Sequence, residues 1–133
     1  MKRIFYIAIS IIVLFGTSCS KRTESKLVGT WKVETVGDCG WPEDAAWTFY
    51  SGGNMNIFHD AQLVKDGETN GEYEVFTRSL VTPYLRFKGM GDMSANGIWR
   101  VEKCNSKKLI INRVEYLNGE TQGAFLRREF TKN

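Results

Sequence analysis

The sequence predicts an all-β domain, namely an eight-stranded antiparallel up-and-down barrel. Apolar and polar residues alternate in short runs that are separated by Gly, Asn, Asp and Ser. No long stretch shows the 3.6-residue periodicity of a helix, and only Pro42 and Pro83 interrupt the pattern. Short and long connections alternate along the chain, which is typical of a sheet in which consecutive strands pair.

Period-two alternation gives the approximate bounds of the strands. Each run places large apolar or aromatic side chains on one face and polar side chains on the other. In chain order, the predicted strands are Leu27–Val36, Ala45–Ser51, Asn54–Asp60, Gly71–Thr77, Leu80–Lys88, Asn96–Lys103, Lys107–Tyr116 and Gln122–Thr131.

The connections predict two unlike ends. Alternate connections of an up-and-down sheet lie at the same end, so one end should carry tight turns and the other longer loops. Closing the sheet removes its exposed edges, and eight strands enclose just enough space for side chains or one small ligand. The tight turns are Gly52–Gly53, Arg78–Ser79 and Asn105–Ser106, and the longer connections are Gly37–Asp44, Ala61–Asn70, Gly89–Ala95 and the hairpin tip Asn118–Gly119.

The same alternation predicts which side chains point inward. They are large, and two interpretations stay open: they fill the barrel completely, or they leave an apolar pocket at the end with the longer loops. The predicted inward set is Trp31, Val33, Trp47, Phe49, Met55, Ile57, Tyr73, Val75, Leu85, Phe87, Trp99, Val101, Leu109, Ile111, Leu126 and Phe130.

The first residues have the pattern of a secretory signal peptide. Lys2 and Arg3 precede the apolar run Ile4–Phe15, and the small residues Gly16–Ser18 lead to Cys19. The apolar run of 12 residues is shorter than the roughly 20 that span a bilayer as a helix, which disfavours a permanent membrane anchor helix.

The segment Gly16–Cys19 resembles the lipobox of bacterial lipoproteins. The resemblance implies that residues 1–18 are removed and that Cys19 is lipidated as the first residue of the mature chain. An ordinary secreted protein that is cut nearby is the alternative. The polar segment 19–26 then reads as a lipidated tether, and residues 27–133 form the barrel domain.

The charge of the chain does not indicate a nucleic-acid partner. Removal of residues 1–18 takes away Lys2 and Arg3, so the formal net charge falls from +3 to +1. No basic stripe and no recognised nucleic-acid motif is present in the sequence.

The start and the end of the predicted barrel carry a second resemblance. Gly29-Thr30-Trp31 is similar to the Gly-x-Trp signature of the first lipocalin strand, and the last strand contains Arg127 and Arg128, where lipocalins place an arginine against that tryptophan. Together with the lipobox, the chain resembles small lipocalin-like lipoproteins of Bacteroidota. The resemblance implies a structural plug of Gly29, Trp31 and Arg128, because Arg128 shares strand parity with the inward residues.

That family resemblance implies a non-catalytic protein of the cell envelope, held in the outer membrane and facing the periplasm, that binds a small apolar or amphipathic molecule. A protein-binding module such as a hydrolase inhibitor, and a structural envelope component, are the alternatives. Trp41, Met90 and Met93 would lie near the rim of the loop-bearing end. The residues expected to line a pocket are Trp47, Tyr73, Trp99 and, if strand parity changes near Pro83, Tyr84.

Cysteines other than Cys19 leave one question open. An even pair outside the cytoplasm suggests a disulfide between Cys39 and Cys104. The predicted topology argues against it, since Cys39 lies in a long connection and Cys104 beside a tight turn, at opposite ends of strands about 20 Å long. A disulfide requires Cα atoms within about 7 Å of each other.

No catalytic or metal-binding pattern is recognisable. His59 is the only histidine, and it has neither a triad pattern around it nor the Cys or His spacing of a zinc site. Gly89-Met90-Gly91 lacks the context of a phosphate-binding loop. We therefore expect no enzymatic activity, no metal and no cofactor.

Overall fold

The computed structural model describes residues 19–35, 46–58, 68–79, 81–90, 95–123 and 126–133. Its strands form a closed barrel in which each pairs antiparallel with the next and the last pairs with the first. The predicted fold class, an eight-stranded up-and-down barrel, is confirmed. The strands are β1 (Gly29–Thr35), β2 (Ala46–Phe49), β3 (Asn54–Phe58), β4 (Glu68–Arg78), β5 (Thr82–Lys88), β6 (Gly97–Cys104), β7 (Lys108–Glu115) and β8 (Arg127–Lys132).

Two strands differ most from their predicted bounds. Strand β4 begins at Glu68, before the predicted Gly71, because its first half pairs with β3 and its second half with β5. Barrel closure staggers neighbouring strands, and a long strand bridges that stagger. Strand β8 begins at Arg127, later than the predicted Gln122.

The two ends of the barrel differ as predicted. What we call the turn end carries the connections 50–53, 79–81 and 105–107, together with the start of β1 and the end of β8. What we call the loop end is where the chain passes between strands through 36–45, 59–67, 89–96 and 116–126. Residues 36–45, 59–67 and 91–94 lie outside the described residues, and with them Cys39, Trp41, His59 and Met93.

A short helix precedes the barrel in the segment that the sequence analysis assigned to a tether. Residues 19–27 are helical, and Leu27, expected at the start of β1, is fully buried at the end of this helix. The last carbonyls of a helix have no partner within it. Here Trp31 Nε1 donates to the Leu27 carbonyl at 2.7 Å, and Lys132 Nζ donates to the Lys26 carbonyl at 3.0 Å. The barrel therefore fixes the end of the helix.

Gly29 and Trp31 have a structural role at the turn end. Lys132 Nζ lies 5.0 Å from the centre of the Trp31 ring, a favourable position for a cation. A Cβ atom on Gly29 would approach Lys132 Cε to 2.8 Å, and the φ angle of +132° at Gly29 is one that other residues rarely adopt. The Gly-x-Trp pattern thus lets the Lys132 side chain cross the start of β1.

The predicted inward set forms the core. All of its members are buried except Val75, which is partly buried and packs against the others. Trp47 lies at the centre of an aromatic cluster, with ring centroids 5.0 Å from Phe130, 5.7 Å from Phe87 and 6.4 Å from Trp99, all in edge-to-face geometry. Such contacts stabilise beyond the burial of apolar area.

We expect Trp31→Ala to lower the free energy of unfolding by about 3–5 kcal/mol, because a fully buried indole leaves a cavity. Trp31→Phe keeps most of the ring but leaves the Leu27 carbonyl without its donor, and should cost about 1–3 kcal/mol. Urea unfolding measures both. A loss below about 1 kcal/mol for the alanine variant would contradict the buried plug.

Candidate functional site

The predicted pocket residues lie at different levels of the barrel. Trp47, Tyr73 and Trp99 point inward and are buried. Tyr73 belongs to the turn-end half, since its hydroxyl donates to the Tyr50 carbonyl at 2.7 Å. Burial, and secondarily the charge of Glu24, raise the pKa of Tyr73. Trp99 is the third residue of β6, which begins at the loop end.

Tyr84 was expected to face inward, and this prediction is wrong. Strand β5 keeps strict alternation through Pro83, so the burial of Leu85 and Phe87 places Tyr84 on the outer surface. Its ring stacks on Phe76 of β4, the residue with which it pairs, at a centroid distance of 5.8 Å. Tyr84 therefore cannot line an internal pocket.

An ion pair crosses the outer surface near Tyr84. The Arg78 guanidinium lies 5.1 Å from the Tyr84 ring centroid and donates to both carboxylate oxygens of Glu115, at 2.5 and 3.2 Å. These hydrogen bonds lower the pKa of Glu115. Both side chains are partly exposed, so the pair contributes little to stability. It covers the aromatic pair and marks no opening into the barrel.

At the loop end, the structure brings together polar residues that were not predicted. Arg113 of β7 pairs with Trp99 of β6, and its guanidinium lies 5.7 Å from the Trp99 ring centroid and 4.7 Å from that of Tyr116. Its Nε donates to Gln122 Oε1 at 2.7 Å, and its Nη1 lies within 3.4 Å of the Asn96 carbonyl. Arg113 is 9% exposed, so a guanidinium lies buried above the aromatic core.

The connection between β5 and β6 folds inward beside this cluster. Asn96 makes two hydrogen bonds with the Met90 backbone, accepting from its N–H at 3.1 Å and donating to its carbonyl at 3.2 Å. The Met90 side chain is buried and occupies the space above Gly71, where a Cβ atom would lie 2.1 Å from the Met90 sulfur. Met90 therefore fills part of the loop end and does not extend from its rim. We call Arg113, Trp99, Asn96, Met90 and Gln122 the loop-end cluster.

The sequence contained a signal for Arg113 that the hydrophobic pattern did not capture. Leu109, Ile111 and Arg113 alternate along β7, so the parity that buries the first two also directs the arginine inward. Burying a cation without partners costs free energy. An arginine at an inward position is therefore a reason to expect a binding site. Asn96 and Gln122 lie in connections, where alternation makes no prediction.

Arg128 and Cys104 complete the comparison with the predictions. Arg128 is inward and 2% exposed, as its parity indicated, and Lys132 Nζ lies 5.0 Å from the centre of the Trp31 ring. The contact between Arg128 and Trp31 stays a prediction.

Cys104 is a free, half-buried thiol at the turn end, and burial raises its pKa. Because this thiol is free, the disulfide with Cys39 is not formed in this structure, and Cys39 itself lies outside the described residues.

The described residues add little that suggests other chemistry. Within them, no three His, Cys, Asp or Glu side chains gather as a metal site would require. In the same part of the chain, no helix is both long and apolar enough to cross a membrane. Residues 1–18, which hold the predicted signal peptide, lie outside the described residues.

Comparison with known proteins gives no relative: no protein family, no curated protein and no solved structure matches the chain.

We expect Gly71→Ala to lower the free energy of unfolding by about 1–3 kcal/mol, because the new methyl group overlaps Met90 and approaches the Lys88 carbonyl to 2.9 Å. The double variant Gly71→Ala/Met90→Ala should lose less than the sum of the two single variants, because it removes the overlap with sulfur. Urea unfolding of the four chains measures this coupling. Additive losses would show that Met90 does not occupy the space above Gly71.

Proposed function

We propose that this chain is a lipid-anchored, non-catalytic protein of the bacterial envelope, held in the outer membrane and facing the periplasm, that binds an amphipathic molecule at the loop end. The observation that carries the binding role is the Arg113 guanidinium, which lies buried over Trp99 at the loop end of a closed barrel. The resemblance to small lipocalin-like lipoproteins supports the anchor and the location.

The loop end is the favoured side for access because the turn end is occupied. There Trp31 is fully buried, Lys132 crosses its ring, and the helix 19–27 is fixed by hydrogen bonds to both residues. A ligand entering from that side would have to displace packed backbone. Among the described residues of the loop end it would meet the loop-end cluster, in which the unbranched Met90 adapts its shape most readily.

The chemistry of the loop-end cluster suits an anionic head group joined to an apolar tail. A guanidinium in a site of low dielectric attracts a carboxylate or phosphate more strongly than one in water, and it can bind two of its oxygens at once. The Trp99 ring, whose centroid lies 5.7 Å from the guanidinium, and the buried Met90 side chain of the same cluster offer apolar surface. Pockets for such ligands are mostly apolar, with a few polar groups that fix orientation.

We expect oleate to quench or shift the tryptophan fluorescence of the protein, and Trp99→Phe to reduce that signal. Arg113→Gln should weaken oleate binding by about 10-fold or more, since a charge-assisted hydrogen bond contributes roughly 1.5–3 kcal/mol. Arg113→Lys, which keeps the charge, should retain part of the affinity.

Two controls make this titration decisive. Arg100→Gln removes an exposed arginine from the outer surface of β6 and should leave oleate binding unchanged. Methyl oleate, which lacks the negative charge, should bind equally to the parent protein and to Arg113→Gln. Equal oleate affinity of the parent and Arg113→Gln would show that the guanidinium does not bind the head group.

The anchor is tested separately. We expect Cys19→Ala to release the protein from membranes or to stall its processing, because the lipid would be attached through this thiol. Membrane fractionation and the intact mass of the mature chain measure the effect. Unchanged mass and unchanged membrane retention in the variant would defeat the proposal of lipidation at Cys19.

A second candidate function, binding of another protein through the loop end, is favoured by the aromatic interior. Trp47, Phe87 and Phe130 are in ring contact at the centre of the barrel. Phe58, at the end of β3, and Leu117, in the connection after β7, remain about half exposed at the same end of the barrel. Loss of partner capture on Leu117→Ser, with no response to oleate in the parent, would favour this function.

A further inference from the structure

The turn end has the surface chemistry of a membrane-contacting face. Tyr50, which follows β2, is 51% exposed, and Val81, in the turn before β5, is 71% exposed. Neither side chain belongs to the buried core of the barrel. Tyrosine and aliphatic side chains at the tips of tight turns suit the boundary between lipid head groups and acyl chains.

Basic side chains surround these apolar tips. Lys103 and Lys107 lie at the β6–β7 turn and are exposed, and Lys21, Arg22 and Lys26 are exposed on the helix. In the described part of the chain, none of these five forms an ion pair, whereas Lys108 nearby is paired with Glu34 and Glu129. Within the helix 19–27, Glu24 is the one acidic residue. The turn end is therefore positively charged.

The helix joins this face to the proposed point of lipid attachment. Cys19 is exposed at residue 19 of a helix whose other end is hydrogen-bonded to the turn end through Trp31 and Lys132. A helix of nine residues is about 13 Å long, so an anchored Cys19 holds the turn end close to the bilayer.

We propose that the turn end docks on an anionic lipid surface, with Tyr50 and Val81 at the head-group level and Lys103, Lys107 and the helix cations over the lipid charges, so that the loop end faces away from the membrane. This inference rests on the proposed lipid anchor for its geometry. Each basic residue near such a surface contributes about a fivefold preference for the docked state.

Hydrogen exchange with mass spectrometry tests the docking on the full-length protein as its host processes it. The protein is placed on vesicles of phosphatidylcholine alone or of phosphatidylcholine with phosphatidylglycerol. On the anionic vesicles we expect slower exchange in peptides that cover 50–53 and 103–107, and unchanged exchange in 116–120. Lys103→Glu/Lys107→Glu should lower the docked population by about 25-fold or more and remove the protection.

The control variant Lys88→Glu makes half of that charge change, at the loop end of β5 in an exposed ion pair with Glu72, and should keep the protection. Retention on pure phosphatidylcholine vesicles measures the lipid anchor independently of docking on anionic lipid. Retention with identical exchange on both vesicles would overturn docking and leave the anchor standing. Protection on anionic vesicles without retention on neutral ones would overturn the anchor and leave docking standing, and the absence of both would overturn both proposals.

Discussion

The pairing of β8 with β1 is the constraint on which the rest of the structure depends. It closes the sheet, and its register sets Lys132 opposite Trp31 and Phe130 opposite Val33. That register brings the Lys132 side chain over the indole and across Gly29, whose φ angle of +132° other residues rarely adopt. A register shift of one residue would send Phe130 to solvent and remove the cation from Trp31, because side chains alternate between faces. One strand pair therefore determines the core, the plug and the attachment of the helix.

Much of the barrel follows from alternation alone. Trp47, Phe87 and Leu109 were predicted to point inward because buried faces impose a period of two on every strand, and closure of the barrel leaves each strand one such face. The prediction for Tyr84 failed for a separate reason. Tyr84 was placed inward by supposing a break at Pro83, but proline is compatible with a strand when its missing N–H falls where no ladder hydrogen bond is needed.

The helix and the loop-end cluster could not be predicted in the same way. Residues 19–27 are too few to form a stable helix in isolation, so their helicity depends on tertiary hydrogen bonds to Trp31 and Lys132. Asn96 and Gln122 lie in connections, and their positions follow from hydrogen bonds to Met90 and Arg113 that no local pattern encodes. Arg113 itself was visible in the alternation, but as a polar residue it was left out of a set chosen by hydrophobicity.

The two ends of the barrel divide its possible roles. The turn end has little freedom to rearrange, because its tryptophan is buried, two helix carbonyls accept hydrogen bonds and its turns are short. Such a rigid end suits a surface that keeps one orientation. At the loop end, Arg113 is buried next to apolar side chains, and burying a charge is tolerated only where hydrogen bonds or ring contacts compensate for lost water. Evolutionary pressure for stability alone would favour an apolar residue there, since replacing buried ionic groups by apolar ones is often stabilising. The cost of a guanidinium above Trp99 is thus the strongest physical reason to look for recognition at the loop end and not along the barrel wall.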